Sequence, residues 1–198
     1  MANVQVAGFQ PIHKGGQTCE MHRKRVLTNN TDPIAKGDAL DTSGDGAVIA
    51  HTTEAGEVYS VQWGGASYMS GQERLERRVL PAATLYTSSG VDPANASYVY
   101  AVSDTGTQSF LASIDEAVAL TDIGLNFAMV LTVATGQYSL HELDATGKAT
   151  TATIPWRCQS IVTGNPKSDP DAADAQVIVK INAGWLDPEL ESSGSLGN

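Results

Sequence analysis

Apolar and polar positions alternate most clearly over residues 97–143. Tyr98, Tyr100 and Val102 interleave with Val99, Ala101 and Ser103, the period of a strand half-buried in a sheet. A turn at Asp104, Thr105 and Gly106 follows, where glycine supplies a positive φ, and Phe110 to Ile114 reads as the return strand. Asp122 to Asn126 is a turn-rich plug, and the apolar, β-branched run Met129 to Val133 predicts another strand. Thr135 and Gly136 then turn the chain into Tyr138 and Leu140. This succession suits a closed or nearly closed antiparallel barrel and carries no catalytic signature.

The flanking segments follow the same rhythm. Val4, Val6 and Phe9 are short apolar steps in an N-terminal arm (1–18) that is too sparse to form a core alone. Residues 34–40 and 47–51 form a hairpin by composition and spacing, and residues 57–63 form a strand closed by Gly64 and Gly65. This first unit (19–80) has the cadence of a small SH3-like barrel. Residues 70–80 have helical leanings, with Ser70 as a cap and Glu73 three residues on, but a strand running to Leu80 competes. A second barrel or sandwich unit (81–186) includes the clearest alternation in the chain, Val177, Val179 and Ile181, and a polar tail (187–198) follows. The predicted class is all-β: small antiparallel barrel or sandwich units, an extended arm and at most one short helix.

Charge narrows the range of partners. The 198 residues carry 12 Lys/Arg against 22 Asp/Glu, a net of −10. That argues against nucleic acid, because a phosphate backbone rewards Lys and Arg. Up to Leu80 the chain has 8 basic against 9 acidic residues; beyond it the balance is 4 against 13. Cys19 and Cys158 form no CxxC, and two free thiols made in a reducing cytosol fit them better than a disulfide. The start MANVQVAGFQ shows no signal-peptide pattern, and no apolar run approaches the ~20 residues of a membrane helix.

The candidate chemistry is thin. Asp41, Asp45 and Gly46 have part of the look of a calcium loop, but the flanks are strands and the closing Glu is missing. Asp169, Asp171 and Asp174 read as a solvated acidic loop. His13, His22, His51 and His141 do not pair at metal-ligand spacings, so no metal or cofactor is expected. Ser139, His141 and Asp144 lie close in sequence, but no G-x-S-x-G elbow accompanies them and no catalytic residue is assigned. Two basic clusters stand out in this acidic chain: Arg23, Lys24 and Arg25, and Arg74, Arg77 and Arg78. They read either as a solubilising face or as an electrostatic footprint on a more acidic protein surface.

Several features together resemble one family. They are the Lys36-Gly37-Asp38 step, Trp63-Gly64-Gly65-Ala66-Ser67, and Leu80-Pro81-Ala82-Ala83-Thr84. To these add Tyr98-Val99-Tyr100-Ala101-Val102 with downstream Phe110, Thr121-Asp122-Ile123-Gly124-Leu125-Asn126, Ser139 through Leu143-Asp144, and a last strand ending Ile181-Asn182. In this the chain is similar to the capsid decoration (cement) proteins of tailed bacteriophages, over roughly residues 37–182. The family's last strand often continues from Asn to His; here Ala183, Gly184 and Trp185 intervene.

The resemblance implies a structural, non-enzymatic protein that is made in the host cytoplasm and sits on the outer face of a virion. It would bind the major capsid protein and itself, as a homotrimer, without nucleic acid, membrane or cofactor. Phe9 of the arm, Arg23, Lys24, Arg25, Arg74, Arg77 and Arg78 are then the expected capsid contacts. Two other readings stand beside it. One is a receptor- or glycan-binding module using Tyr68, Tyr86, Tyr138 and Trp185; the other is a hydrolase with a dispersed site.

Overall fold

A computed structural model describes residues 5–12, 19–27, 30–42, 47–56, 58–70, 72–82, 96–103, 108–151, 153–165 and 168–182. The fold is all-β, with twelve strands among the described residues: β1 (Gln10–Ile12), β2 (His22–Arg25), β3 (Ala39–Thr42), β4 (Val48–Ala50), β5 (Ser60–Ser70), β6 (Glu73–Arg77), β7 (Tyr98–Ser103), β8 (Ser109–Ile114), β9 (Asn126–Val130), β10 (Glu142–Ala149), β11 (Trp156–Ile161) and β12 (Ala175–Ile181). One 3-10 turn, Leu120–Asp122, is the helical element among the described residues.

Strands β8, β10, β9, β11 and β12 close on themselves, because β12 pairs back to β8 through five residue pairs from Ala175↔Ile114 to Val179↔Phe110. Closure removes the exposed strand edges that a sheet of this composition would otherwise present. The other sheet runs β2-β7-β5-β3-β4, with β6 folded back on the far half of β5. A parallel bridge between Val26 and Val48, just past the end of β2, brings its first and last strands together. A hairpin is present in the expected region as β3–β4, with Leu40 opposite Ala50, but its first strand is Ala39–Thr42 and not residues 34–40, and Asp41 and Thr42 belong to the strand.

The choice left open over residues 70–80 falls to strand at Glu73–Arg77: β6 pairs residue for residue with β5 from Ala66↔Arg77 to Ser70↔Glu73. Leu75 there packs on the core, whereas Glu73, Arg74, Glu76 and Arg77 are exposed, so one apolar residue inside a polar run anchored the strand. Gly64 and Gly65 do not close a strand, because β5 runs straight through them. Between Gln62 and Ala66 β5 advances four residues while β7 advances two, a bulge that keeps the inward and outward parity. A Cβ on Gly64 would lie 2.5 Å from the Cβ of Tyr100, and one on Gly65 would lie 2.8 Å from the carbonyl of Arg77.

Sheet membership also departs from the expectation. Strand β7, expected in the second unit with β8 as its return, pairs instead with β2 and β5 of the first sheet. The chain therefore crosses between sheets after Ser103, and β8 opens the closed barrel. The arm crosses the other way: β1 adds to β8, with Pro11 opposite Phe110.

Phe9 is the key to that docking. It is fully buried and stacked on Trp156 with ring centroids 3.9 Å apart, and Phe110 meets the same Trp156 edge-on at 5.5 Å. Phe9 is thus a core residue and not a surface contact, which removes it from the expected capsid-facing set. Ala39, Val58, Val61 and Val102 of the first sheet join the same apolar cluster as Phe110, Phe127, Met129 and Trp156, so one core runs through both barrels. A second cluster, with Val26, Leu40, Val99 and Tyr68, fills the first barrel.

Replacing Phe9 with Ala should lower stability by ~3–5 kcal/mol, the range for deleting a fully buried aromatic. Urea unfolding of the two proteins measures it; a change under 1 kcal/mol would mean that the arm is not seated on Trp156.

Candidate functional site

Register brings Arg23 and Arg25 of one basic cluster to Arg74 of the other. Arg23 lies opposite Tyr100 and Arg25 opposite Tyr98 across β2–β7; Tyr98 lies opposite Ser67 across β7–β5; and Ser67 and Met69 face Glu76 and Arg74 across β5–β6. Residues directly opposite each other share a face. One face of the sheet therefore carries Arg23, Arg25, Tyr98, Tyr100, Met69, Arg74 and Glu76, drawn from segments about fifty residues apart.

The Tyr98 ring organises this face. The Arg23 guanidinium sits over it at 4.3 Å and that of Arg74 at 5.8 Å. Arg74 also donates to the Ser67 hydroxyl at 3.0 Å and to the Ala96 carbonyl at 3.2 Å. Stacked guanidinium groups keep their charge while losing side-chain freedom, so a partner that meets them orders less. Lys24, one residue on in β2, takes the opposite face and lies over Tyr59 at 4.9 Å.

Arg77 and Arg78 do not belong to the Tyr98 face. They line an open cleft of about 740 Å³ with Gly65, Glu76, Tyr100 and Gln137, where Arg78 donates to the Gln137 side chain at 3.2 Å. The tyrosines of the glycan reading are scattered: Tyr68 is buried in the first barrel's core, Tyr138 is half-exposed, and Tyr86 and Trp185 lie outside the described residues. No groove of aromatics is assembled from the two that are described.

A second polar group lies where the barrels meet, unmarked by spacing in the sequence. Asp38, His51 and His141, all buried, line a pocket of about 180 Å³. Asp38 accepts hydrogen bonds from the Ala35 amide at 2.6 Å and from the Ser139 side chain. Burial nevertheless pushes its carboxyl up to about 6. His141 Nε2 is 3.8 Å from Asp38 Oδ1, and burial, reinforced by neighbouring His51, holds the imidazole down at about 4. At neutral pH this contact is therefore carboxylate to neutral ring, not an ion pair. His51 Nδ1 stands 3.4 Å from Asp41 Oδ2, without hydrogen-bond geometry.

The Ser139, His141 and Asp144 grouping does not assemble. The Ser139 hydroxyl oxygen accepts from the His141 backbone amide at 3.1 Å, and its partner among acids is Asp38. Asp144 instead accepts from the Thr146 amide and hydroxyl and from the Gly147 amide, which holds its carboxyl below the usual range. Among the described residues no three His, Cys, Asp or Glu side chains come together as a metal-binding group. Asp169 accepts from the Asp171 amide as a local turn, while Asp174, at φ +60, pairs with Glu142. Burial, then Asp174, raises Glu142 to about 7. Cys19 and Cys158 are free thiols, and burial pushes Cys158 up to about 11. His13 and Asp45 lie outside the described residues.

No protein-family model, curated protein or solved structure matches the chain.

Asp38 yields a pH prediction. Its raised folded-state value favours the protonated carboxyl, so its contribution to stability is full below the unfolded value of 3.8 and lost as pH rises through about 6. Asp38→Asn lacks that titration. The stability of wild type relative to the variant should therefore fall by ~2–3 kcal/mol between pH 4 and pH 7.5, about two pKa units of linkage. Urea unfolding across that range tests it, and a gap that does not move with pH would contradict the assignment.

Proposed function

We propose that this chain is a non-enzymatic decoration protein that binds the outer surface of a phage head and stabilises the major capsid protein lattice. The observation that carries the reading is the gathering of Arg23, Arg25 and Arg74 around Tyr98 on one sheet face of a chain whose net charge is −10. A basic face on an otherwise acidic body favours one orientation of approach to an acidic protein surface and repels the others.

The architecture suits such a role. A closed barrel and a second sheet share one apolar core, giving a stiff body that can hold two neighbouring subunits at a set distance. A ligand that binds only the assembled shell lowers the free energy of that state, and many copies each bridging subunits multiply the effect. The resemblance in the sequence points to the same class, with homotrimers as the expected form. Glycan binding draws no support from the scattered tyrosines.

The test is co-sedimentation with expanded heads that lack the protein. Saturable binding is expected, and Arg23→Glu with Arg74→Glu should weaken it at least tenfold at low salt, with the difference shrinking as salt rises. Absence of binding at any salt concentration would overturn the reading.

A further inference from the structure

The cleft that holds Arg77 and Arg78 separates from the Tyr98 face in one respect. Arg77 Nη1 reaches the Glu76 carbonyl at 3.4 Å and Arg78 Nη1 reaches the Gln137 side-chain oxygen at 3.2 Å; among the described residues neither guanidinium meets a carboxylate. Arg23 and Arg74, by contrast, are committed to Tyr98. The lining holds one carboxylate, Glu76, against these two guanidinium groups, a local excess of positive charge in a chain with 22 acidic and 12 basic residues.

The β5–β6 hairpin supplies most of the cleft, and Gly65 lets the Arg77 backbone approach closely. Gln137, from the loop between β9 and β10, is the one lining residue from the closed barrel's side, and the Lys36 amide donates to its carbonyl at 3.2 Å. Tyr100 and Pro81 provide apolar surface between the charges. A guanidinium offers paired donors that match a carboxylate, and neither of these spends its donors on one.

We propose that this cleft binds an extended acidic peptide segment of the partner protein, with Arg77 and Arg78 receiving side-chain carboxylates and Tyr100 packing against the stem between them. The proposal rests on the decoration reading for the identity of the partner, and on the cleft alone for its chemistry.

The probe is hexaglutamate, added to the full chain labelled with ¹⁵N and followed by amide shifts. Saturable shifts at Gly65, Arg77, Arg78 and Gln137 are expected, with a Kd near 1 mM at low salt (~4 kcal/mol) that weakens at least threefold at ~200 mM salt. Arg77→Glu with Arg78→Glu should abolish the shifts, whereas Arg77→Lys with Arg78→Lys should retain weaker ones. Both positions are exposed, and unchanged shifts elsewhere confirm that each variant is folded. No shifts up to ~10 mM, or equal shifts with hexalysine or a neutral hexasaccharide, would overturn the proposal. If hexaglutamate binds but heads capture no protein, the decoration reading fails and the cleft stands. If heads capture the double Glu variant as well as the native chain, the cleft fails and the decoration reading stands.

Discussion

The turn at Lys36, Gly37 and Asp38 holds the rest of the molecule in place. Gly37 donates its amide to the Gln62 carbonyl at 2.7 Å and accepts from the Phe9 amide at 3.0 Å; Lys36 accepts from the Ser139 amide at 2.8 Å. First barrel, arm and second barrel thus meet backbone to backbone within three residues. The contact demands absent side chains: a Cβ on Gly8 would lie 2.4 Å from the Ser139 Cβ and 2.5 Å from the Gly37 carbonyl. Both glycines also adopt positive φ, +60 at Gly8 and +97 at Gly37, which other residues resist. Lys36 closes the arrangement over the Trp63 ring at 3.9 Å.

Beneath this turn the packing is continuous. Phe9 is pressed on Trp156, and the apolar cluster around them takes side chains from both sheets. Breaking the seam would expose that cluster, so the two barrels share their stability. Such stiffness gives the surface features meaning. Arg23 and Arg74 come from strands on opposite sides of β7 and β5, yet a fixed sheet holds both on Tyr98. The neighbouring cleft takes Gln137 from the closed barrel's side, and that residue is tied to the same turn through the Lys36 amide.

Much of the fold was legible because strands carry their own period. The alternation at Val177, Val179 and Ile181 became β12, and the β3–β4 hairpin followed from its turn-rich middle. Pairing was less legible, since alternation states that a segment is a strand without naming its neighbour. Strand β7 joined the first sheet despite the apparent turn toward β8, and β1 crossed to the second barrel. Strand β10 runs through Asp144, Gly147 and Lys148, where no apolar alternation marks a strand; a Cβ on Gly147 would come within 2.9 Å of the Ala128 side chain. The basic clusters were visible as charge, but the meeting of Arg23 and Arg74 on Tyr98 depends on register across four strands. The burial of Asp38, His51 and His141 depends on two barrels meeting, and no local spacing encodes that.

Native-state hydrogen exchange at the Phe9, Gly37, Gln62 and Ser139 amides tests most directly whether the two barrels behave as one body. If the turn joins them, these four amides exchange only through global unfolding, with the same free energy as the β8 and β12 amides. Exchange of the four by a lower-energy opening, while β8 and β12 stay protected, would contradict the account.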